Sequence, residues 1–236
     1  MKIVDVSLLS FGGNVSHLAI FNLALQIPSV SLRILDPIRP ILQRKFVEED
    51  FDIRSFKIAY YSLLTMSFLI SSSLIILGPE INILLYAGKL DGSTDVSWLL
   101  SIWLVPSGAN LLMATALIAR GHGRIVLYFA AAQIFVMIAG AYFLVPCLGA
   151  KGAAAAMLAT AILGAGLSGT ALKLYMEVDM KNPMILGISA CGVLFTLCFA
   201  MTIWAPALSF RIVVLSVLTV CIVLAFATTL RSLVRR

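Results

Sequence analysis

The stretch at residues 145–168, VPCLGAKGAAAAMLATAILGAGLS, decides the fold because it joins two predicted helices and gives the second an unusual face. Gly149 follows a predicted helix end, where glycine accepts the left-handed backbone that stops a helix. In the second helix every fourth residue is small, and steps of four stay on one helical face. Such a face lets another backbone approach closely, which is how helices associate in a bilayer. We predict a packing surface formed by Gly149, Gly152, Ala156, Thr160, Gly164 and Ser168.

The composition indicates a membrane protein. Of the 236 residues, 61% are hydrophobic and 12% are charged, and the mean hydropathy is +1.05. A soluble domain carries about 25% charged residues. The predicted fold class is therefore all-α, a polytopic membrane helical bundle. The four cysteines form no CxxC pair and no cluster with histidine, so they indicate buried apolar residues rather than disulfides or metal ligands.

Apolar windows of about twenty residues mark the predicted membrane spans. About seven such windows follow one another and make one transmembrane unit of residues 15–236, with spans at 15–35, 58–77, 96–118, 125–147, 152–172, 184–204 and 212–230. The second span is expected to break at Gly78-Pro79, where proline disfavours continued helix, with a short interfacial helix at 81–86. The long polar link at 41–57 is predicted to form an amphipathic interfacial helix or a turn.

The distribution of basic residues predicts how the spans are oriented, because cytoplasmic links carry an excess of lysine and arginine. Most of the 17 basic residues flank alternate links or lie in the tail, and those on the opposite side are Lys2, Lys89, Lys151 and Arg211. This pattern predicts a multi-pass chain with an outer N-terminus and a cytoplasmic C-terminus. The net charge of +6 therefore indicates topology and contact with anionic membrane lipid, not nucleic-acid binding.

The first predicted span carries a polar stripe with residues at steps of four, three and four: Asn22, Gln26, Ser29 and Arg33. Polar groups that face lipid are costly, so this face is expected to meet protein or a water-filled cavity. As a cavity wall it would contact hydroxyl and phosphate groups, because the planar guanidinium fork of Arg33 matches phosphate oxygens. The alternative is hydrogen bonding between helices, with Arg33 extending to the membrane interface.

A second group of candidate cavity residues lies on the third and fourth spans. Trp103, Ser107 and Asn110 share one face, where an aromatic ring beside an amide suits sugar stacking, and Gln133 lies in mid-span. The alternatives are a packed kink at Pro106 and, for Gln133, a hydrogen bond between helices. The sequence has no mid-span acid, nucleophile–base pair, phosphate-binding loop or metal-spaced cluster. We therefore predict no catalytic residue, no metal, no cofactor and no enzymatic activity.

Several stretches, in this order, carry a resemblance to a transporter family. They are DVSLL (5–9) with LAIFNLAL (18–25), residues 36–46, GPEINILLYAG (78–88), the run from Asn110 to Arg120-Gly121, and LVPCLGAKGAA (144–154). Together they resemble the C-terminal half of Wzx-like polysaccharide and O-antigen flippases of the MOP superfamily, which are relatives of the MATE exporters. The last stretch is the most specific, since it is similar to the family pattern L-I-P-x-x-G-A-x-G-A-A.

The resemblance implies one lobe of a two-lobed polysaccharide-biosynthesis transporter of the bacterial inner membrane. Its substrate would be an undecaprenyl-pyrophosphate-linked glycan, an O-antigen or exopolysaccharide repeat unit, moved by alternating access. The seven spans would be the eighth to fourteenth of fourteen, so a separate N-terminal lobe is an expected partner. Residues 1–14 would be the outer-side remnant of a preceding helix. The chain would then be a fragment, one part of a split transporter, or a truncated product.

Other functions stay open at this point. One is a MATE-like small-molecule exporter lobe, although the lack of a mid-span carboxylate argues against ion coupling in this half. Another is a non-transporting truncated or accessory membrane protein. A membrane enzyme of glycan assembly would need a catalytic constellation that the sequence lacks. The small-residue helix likewise has two interpretations, a fixed packing face or a face that slides against its neighbour during transport.

Overall fold

The computed structural model describes residues 15–35, 38–47, 53–86, 93–176, 178, 192–193 and 196. Among these residues the fold is helical and contains no β-strand. The helices are α1 (Val15–Leu35), α2 (Ile38–Val47), α3 (Ile53–Tyr86), α4 (Ser93–Ala119), α5 (Gly123–Leu148) and α6 (Ala150–Met176). The all-α prediction is confirmed for this part of the chain.

Four of the described helices contain a segment long and apolar enough to cross a membrane. These segments are Ile53–Gly78, Thr94–Ala119, Gly123–Leu148 and Ala150–Met176. They correspond to the predicted spans 58–77, 96–118, 125–147 and 152–172, and each extends further at both ends. The described residues are therefore compatible with a membrane-embedded bundle.

The predicted count of seven spans is not supported. Helix α1 coincides with the predicted span 15–35, but it is not among the four apolar segments. The predicted spans 184–204 and 212–230 lie outside the described residues apart from 192–193 and 196, and so does the predicted remnant 1–14.

Helix α3 does not end where the sequence predicts. The expected break at Gly78-Pro79 is wrong, because the helix continues through both residues to Tyr86. Proline removes one helical N–H donor. Membrane helices tolerate this loss where neighbouring groups satisfy the freed carbonyl.

Helix α2 occupies the first part of the link predicted at 41–57. It begins at Ile38 and ends at Val47, and α3 begins at Ile53. The Phe46 side chain is buried in the core, with its ring centroid 5.5 Å from that of Phe56 in α3. Helix α2 also packs against α4. It is therefore held on the bundle by the aromatic contact with α3 and by its packing against α4.

Two glycines make the tight turns that join the last three helices. Gly121, between α4 and α5, has φ 82°, and Gly149, between α5 and α6, has φ 57°. Glycine adopts these left-handed angles without steric cost. The turn at Gly149 is shorter than predicted, since α6 begins at Ala150 rather than Gly152. A Cβ atom at Gly149 would lie 2.9 Å from Cε1 of His17, so the start of α1 packs onto this turn.

Helix α4 lies at the centre of the described bundle and packs against each of the other described helices. Its most apolar window is 67% buried, whereas that of α5 is 11% buried. The outward face of α5 carries large apolar side chains, including Leu127, Tyr128, Phe135, Tyr142 and Phe143. Continuous apolar surface of this kind is typical of a face that contacts lipid or another protein.

Helices α1, α4 and α6 begin at the same end of the bundle. Lys151, in the first turn of α6, donates a hydrogen bond to Asp95 in the first turn of α4, with 2.5 Å between Nζ and Oδ2. Both side chains are about half exposed, so the pair contributes at most about 1 kcal/mol. The contact of His17 with the turn at Gly149 places the start of α1 at this end too.

Candidate functional site

The polar stripe of α1 points away from the described bundle. The helix buries the face that contains Phe21, Ala24, Pro28 and Ser31. At 100° per residue, the stripe lies roughly 150° around the helix from this buried face. Gln26 and Arg33 are accordingly exposed, and the other two members of the stripe are half buried: Asn22 and Ser29.

This orientation has an energetic consequence in a membrane. A polar side chain that faces hydrocarbon has no solvent partner, and a central charge costs at least about 2.5 kcal/mol. The Ser29 hydroxyl donates a hydrogen bond to the backbone oxygen of Gln26 at 2.8 Å, which lowers the free-energy cost of placing this hydroxyl in hydrocarbon. Arg33 lies in the last turn of α1 and remains exposed. The stripe is thus suited to meet water, a polar ligand or another protein, and poorly suited to meet lipid.

The second group of predicted residues lies inside the bundle, where α4, α5 and α6 meet. Ser168 of α6 donates a hydrogen bond to Oδ1 of Asn110 in α4 at 2.8 Å. A Cβ atom at Gly164 would lie 2.8 Å from Nε2 of Gln133 in α5 and 2.9 Å from Nδ2 of Asn110. Both amides therefore lie directly against Gly164, and we call Asn110, Gln133, Gly164 and Ser168 the amide cluster.

The amide cluster is a closely packed junction of three helices. The space that a single methyl group would need at Gly164 is already filled by the two amide groups. A junction this tight suits hydrogen bonding between helices, which was the alternative interpretation for Gln133. In membrane proteins such bonds stabilise helix association by about 0.6 kcal/mol each on average.

Trp103 and Ser107 do not extend the amide cluster into an open cavity within the described residues. Trp103 is 6% exposed and belongs to an apolar core cluster with Phe21, Leu100 and Met137. In this position its ring faces other side chains and is not presented for sugar stacking. Ser107 is half buried on α4.

The structure therefore separates the predicted site residues into two places. The stripe of α1 lies on the outer surface of the described bundle, and the amide cluster lies between α4, α5 and α6. The sequence alone does not distinguish these places, because helical periodicity fixes which residues share a face but not the neighbour of that face. Of the two, the stripe is the one that includes exposed side chains, those of Gln26 and Arg33.

The small residues of α6 lie against two neighbouring helices. All five members of the repeat are buried. A Cβ atom at Gly152 would lie 2.3 Å from the backbone oxygen of Leu144. A Cβ atom at Gly140 would lie 3.1 Å from the Cβ atom of Ala156. Thr160 donates to the backbone oxygen of Ala156 at 2.7 Å, which satisfies its hydroxyl locally. With the amide cluster, these contacts join α6 to α5 along its length. The amide cluster and the Lys151–Asp95 pair join α6 to α4.

A second small-residue interface, which was not predicted from the sequence, joins α3 and α4. Ser71 donates to the backbone oxygen of Ser101, and a Cβ atom at Gly108 would lie 2.6 Å from Oγ of Ser67. The signal was present in the sequence, since Ser67 and Ser71 are four residues apart on one face of α3. All three serines are at most 1% exposed.

Among the described residues, no group of three histidine, cysteine, aspartate or glutamate side chains is placed to hold a metal ion. Comparison of the chain with protein-family models, curated proteins and solved structures finds no match. The surface of α1 and the packing of the bundle are therefore the structural basis for a functional proposal.

Proposed function

We propose that this chain is one lobe of a transporter that moves a lipid-linked oligosaccharide across the bacterial inner membrane, with the polar stripe of α1 lining the path. The observation that carries this proposal is the orientation of that stripe, which faces away from the described bundle, in which four helices are apolar enough to cross a membrane. The resemblance to the C-terminal half of Wzx-like flippases supplies the substrate class. The lipid tail would stay in the bilayer while the headgroup and sugars pass along the stripe.

The side chains of the stripe match the chemistry of such a headgroup. Amide and hydroxyl groups exchange hydrogen bonds with sugar hydroxyls. The guanidinium of Arg33 pairs with phosphate oxygens through two parallel N–H donors. One face of one helix cannot enclose a headgroup, so the proposal includes a separate second lobe that forms the opposite wall.

The packing of the bundle favours movement of this lobe as a rigid unit. Helix α6 approaches the backbone of α5 at Gly152 and meets α4 and α5 at the amide cluster. Sliding of α6 would break both contacts at once. We therefore favour a fixed packing face for α6 and rocking of the whole lobe, which is how alternating access proceeds in transporters of this kind. An outer N-terminus and a cytoplasmic C-terminus belong to the same proposal.

The test is made in the bacterium that carries the gene, so that any partner lobe is present. Deletion of the gene should leave lipid-linked oligosaccharide on the cytoplasmic leaflet and remove the glycan from the cell surface. Wild-type chain and Val30→Ala should restore the glycan, because Val30 is an exposed apolar residue of α1 outside the stripe. Arg33→Gln should restore little of it at equal membrane abundance.

Two results would overturn the proposal. One is a deletion strain with normal surface glycan but increased sensitivity to small cations, which would favour the MATE-like exporter. The other is full complementation by Arg33→Gln, which would remove the stripe from the path. Purified chain that alone moves a fluorescent lipid-linked oligosaccharide across proteoliposomes would refute the requirement for a second lobe.

A further inference from the structure

A small cavity lies where α1, α3 and α4 cross, away from both groups of predicted site residues. Its volume is about 10 Å³, and the residues around it include Ala24 and Pro28 of α1, Gly78 of α3, and Ser97 and Ser101 of α4. The lining thus combines small and apolar groups with hydroxyl groups. None of these residues has a role in the proposed transport path.

Pro28 leaves one backbone acceptor of α1 without its helical donor. In an α-helix the N–H of each residue bonds to the carbonyl four residues earlier. Proline has no N–H, so the carbonyl of Ala24 receives no hydrogen bond from position 28. Ala24 and Pro28 both line the cavity, and Ala24 is 3% exposed. A buried carbonyl without a partner costs on the order of a lost hydrogen bond.

Other polar groups surround the same cavity. Ser101 donates to the backbone oxygen of Ser97 at 2.7 Å, so its hydroxyl proton is already used. The Ser97 hydroxyl lies at the cavity wall. The buried Nε1 of Trp98 has no hydrogen-bond partner within the described structure and lies 4.0 Å from the position of a Cβ atom at Gly78. Donor and acceptor groups therefore converge on one small space.

The size of the cavity selects the ligand. A space of about 10–15 Å³ holds one water molecule, which needs two to four polar partners. Sugars and drug-sized molecules are far too large for it. We infer that this cavity is a binding site for a single ordered water molecule, which donates to the Ala24 carbonyl and accepts from the Ser97 hydroxyl. In membrane helices ordered water is one of the groups that satisfy carbonyls freed by proline.

The first experiment is radiolytic hydroxyl labelling of the purified full chain in lipid nanodiscs. A water bound inside a protein generates hydroxyl radical beside it, so Leu74, which also lines the cavity, should be oxidised readily. Gly78→Ala places a methyl group at the cavity wall, and the nearest atom of another helix lies 4.0 Å away, so the fold should be retained. This variant should lower the oxidation of Leu74 several-fold and leave that of buried Leu112 unchanged. Unchanged oxidation of Leu74 in the folded variant would overturn the inference.

The second experiment is a double-mutant cycle on thermal unfolding. Pro28→Ala restores the N–H donor to the Ala24 carbonyl and removes the need for water. Ser97→Ala should lower the unfolding temperature measurably in the wild-type background and much less in the Pro28→Ala background. Equal shifts in the two backgrounds would contradict a shared water molecule.

Discussion

Substitution of Gly152 by alanine tests the packing of α6 against α5. The added Cβ atom would lie 2.3 Å from the backbone oxygen of Leu144, 2.5 Å from its carbonyl carbon and 3.0 Å from the backbone nitrogen of Val145. These are backbone atoms, so no side-chain rotation relieves the contact. The two helices are joined by the single turn residue Gly149, which limits their separation. Overpacking costs about 1–3 kcal/mol, and we expect the upper end of that range because the clash is with backbone.

Gly166 supplies a matched control on the same helix. Within the described part of the chain, a Cβ atom at Gly166 would meet no atom of another element within 4 Å. Alanine has a higher helix propensity than glycine by about 1 kcal/mol, so Gly166→Ala should be neutral or stabilising. The two substitutions are chemically identical, and only the neighbouring atoms differ. The structure thus predicts effects of opposite sign on the free energy of unfolding.

The measurement is thermal unfolding in detergent micelles, followed by far-ultraviolet circular dichroism. For a chain of this size, 1 kcal/mol shifts the unfolding temperature by about 2–4 °C. Gly152→Ala should therefore lower the unfolding temperature by about 6–12 °C, and Gly166→Ala should raise it by up to about 4 °C. Gly152→Ala with wild-type stability, or a similar decrease for both variants, would refute the close approach of α6 to α5.

Substitutions at three further contacts test other parts of the bundle. Asn110→Ala and Ser168→Ala should each destabilise the bundle, and a double-mutant cycle should give a coupling free energy of about 0.6 kcal/mol; zero coupling would contradict their hydrogen bond. Gly108→Ala should destabilise the α3–α4 interface by about 1–3 kcal/mol. Adding Ser67→Ala removes the hydroxyl that the new methyl group would meet, so the double variant should regain part of the lost stability. If it does not, the methyl group does not clash with Ser67. Lys151→Met should change the free energy of unfolding by less than about 1 kcal/mol, and the contribution of the Lys151–Asp95 pair that depends on salt concentration should be lost. A change larger than about 1 kcal/mol would contradict an exposed ion pair.

Local features of the fold were predictable from the sequence because their causes are local. Glycine at positions 121 and 149 marks turns, since the left-handed backbone there disfavours other residues. Hydropathy located the four apolar helices to within a few residues. The failure at Gly78-Pro79 has a physical reason as well. Whether proline ends a membrane helix depends on which neighbours satisfy the freed carbonyl, and the sequence does not name those neighbours.

The candidate site was predictable only as separate helical faces. The spacing of Asn22, Gln26, Ser29 and Arg33 establishes that they share a face. Whether that face points into or out of the bundle depends on the angle at which α1 packs, which the order of residues does not specify. The contact of Gln133 with Gly164 was equally unpredictable, because it joins α5 to α6 through residues 31 positions apart. Non-local pairings of this kind need the three-dimensional arrangement.

The central place of α4 has a consequence for the order in which the chain assembles during synthesis. α4 leaves the ribosome after α3 but before α5 and α6, because synthesis proceeds from the N-terminus. The serine contacts with α3 are therefore available first, and they make an early helical hairpin. Asn110 acquires its hydrogen-bond donor only when Ser168 has been synthesised. Until then the side-chain oxygen of Asn110 lacks this donor, so the packing of α4 is completed only when α6 has been synthesised.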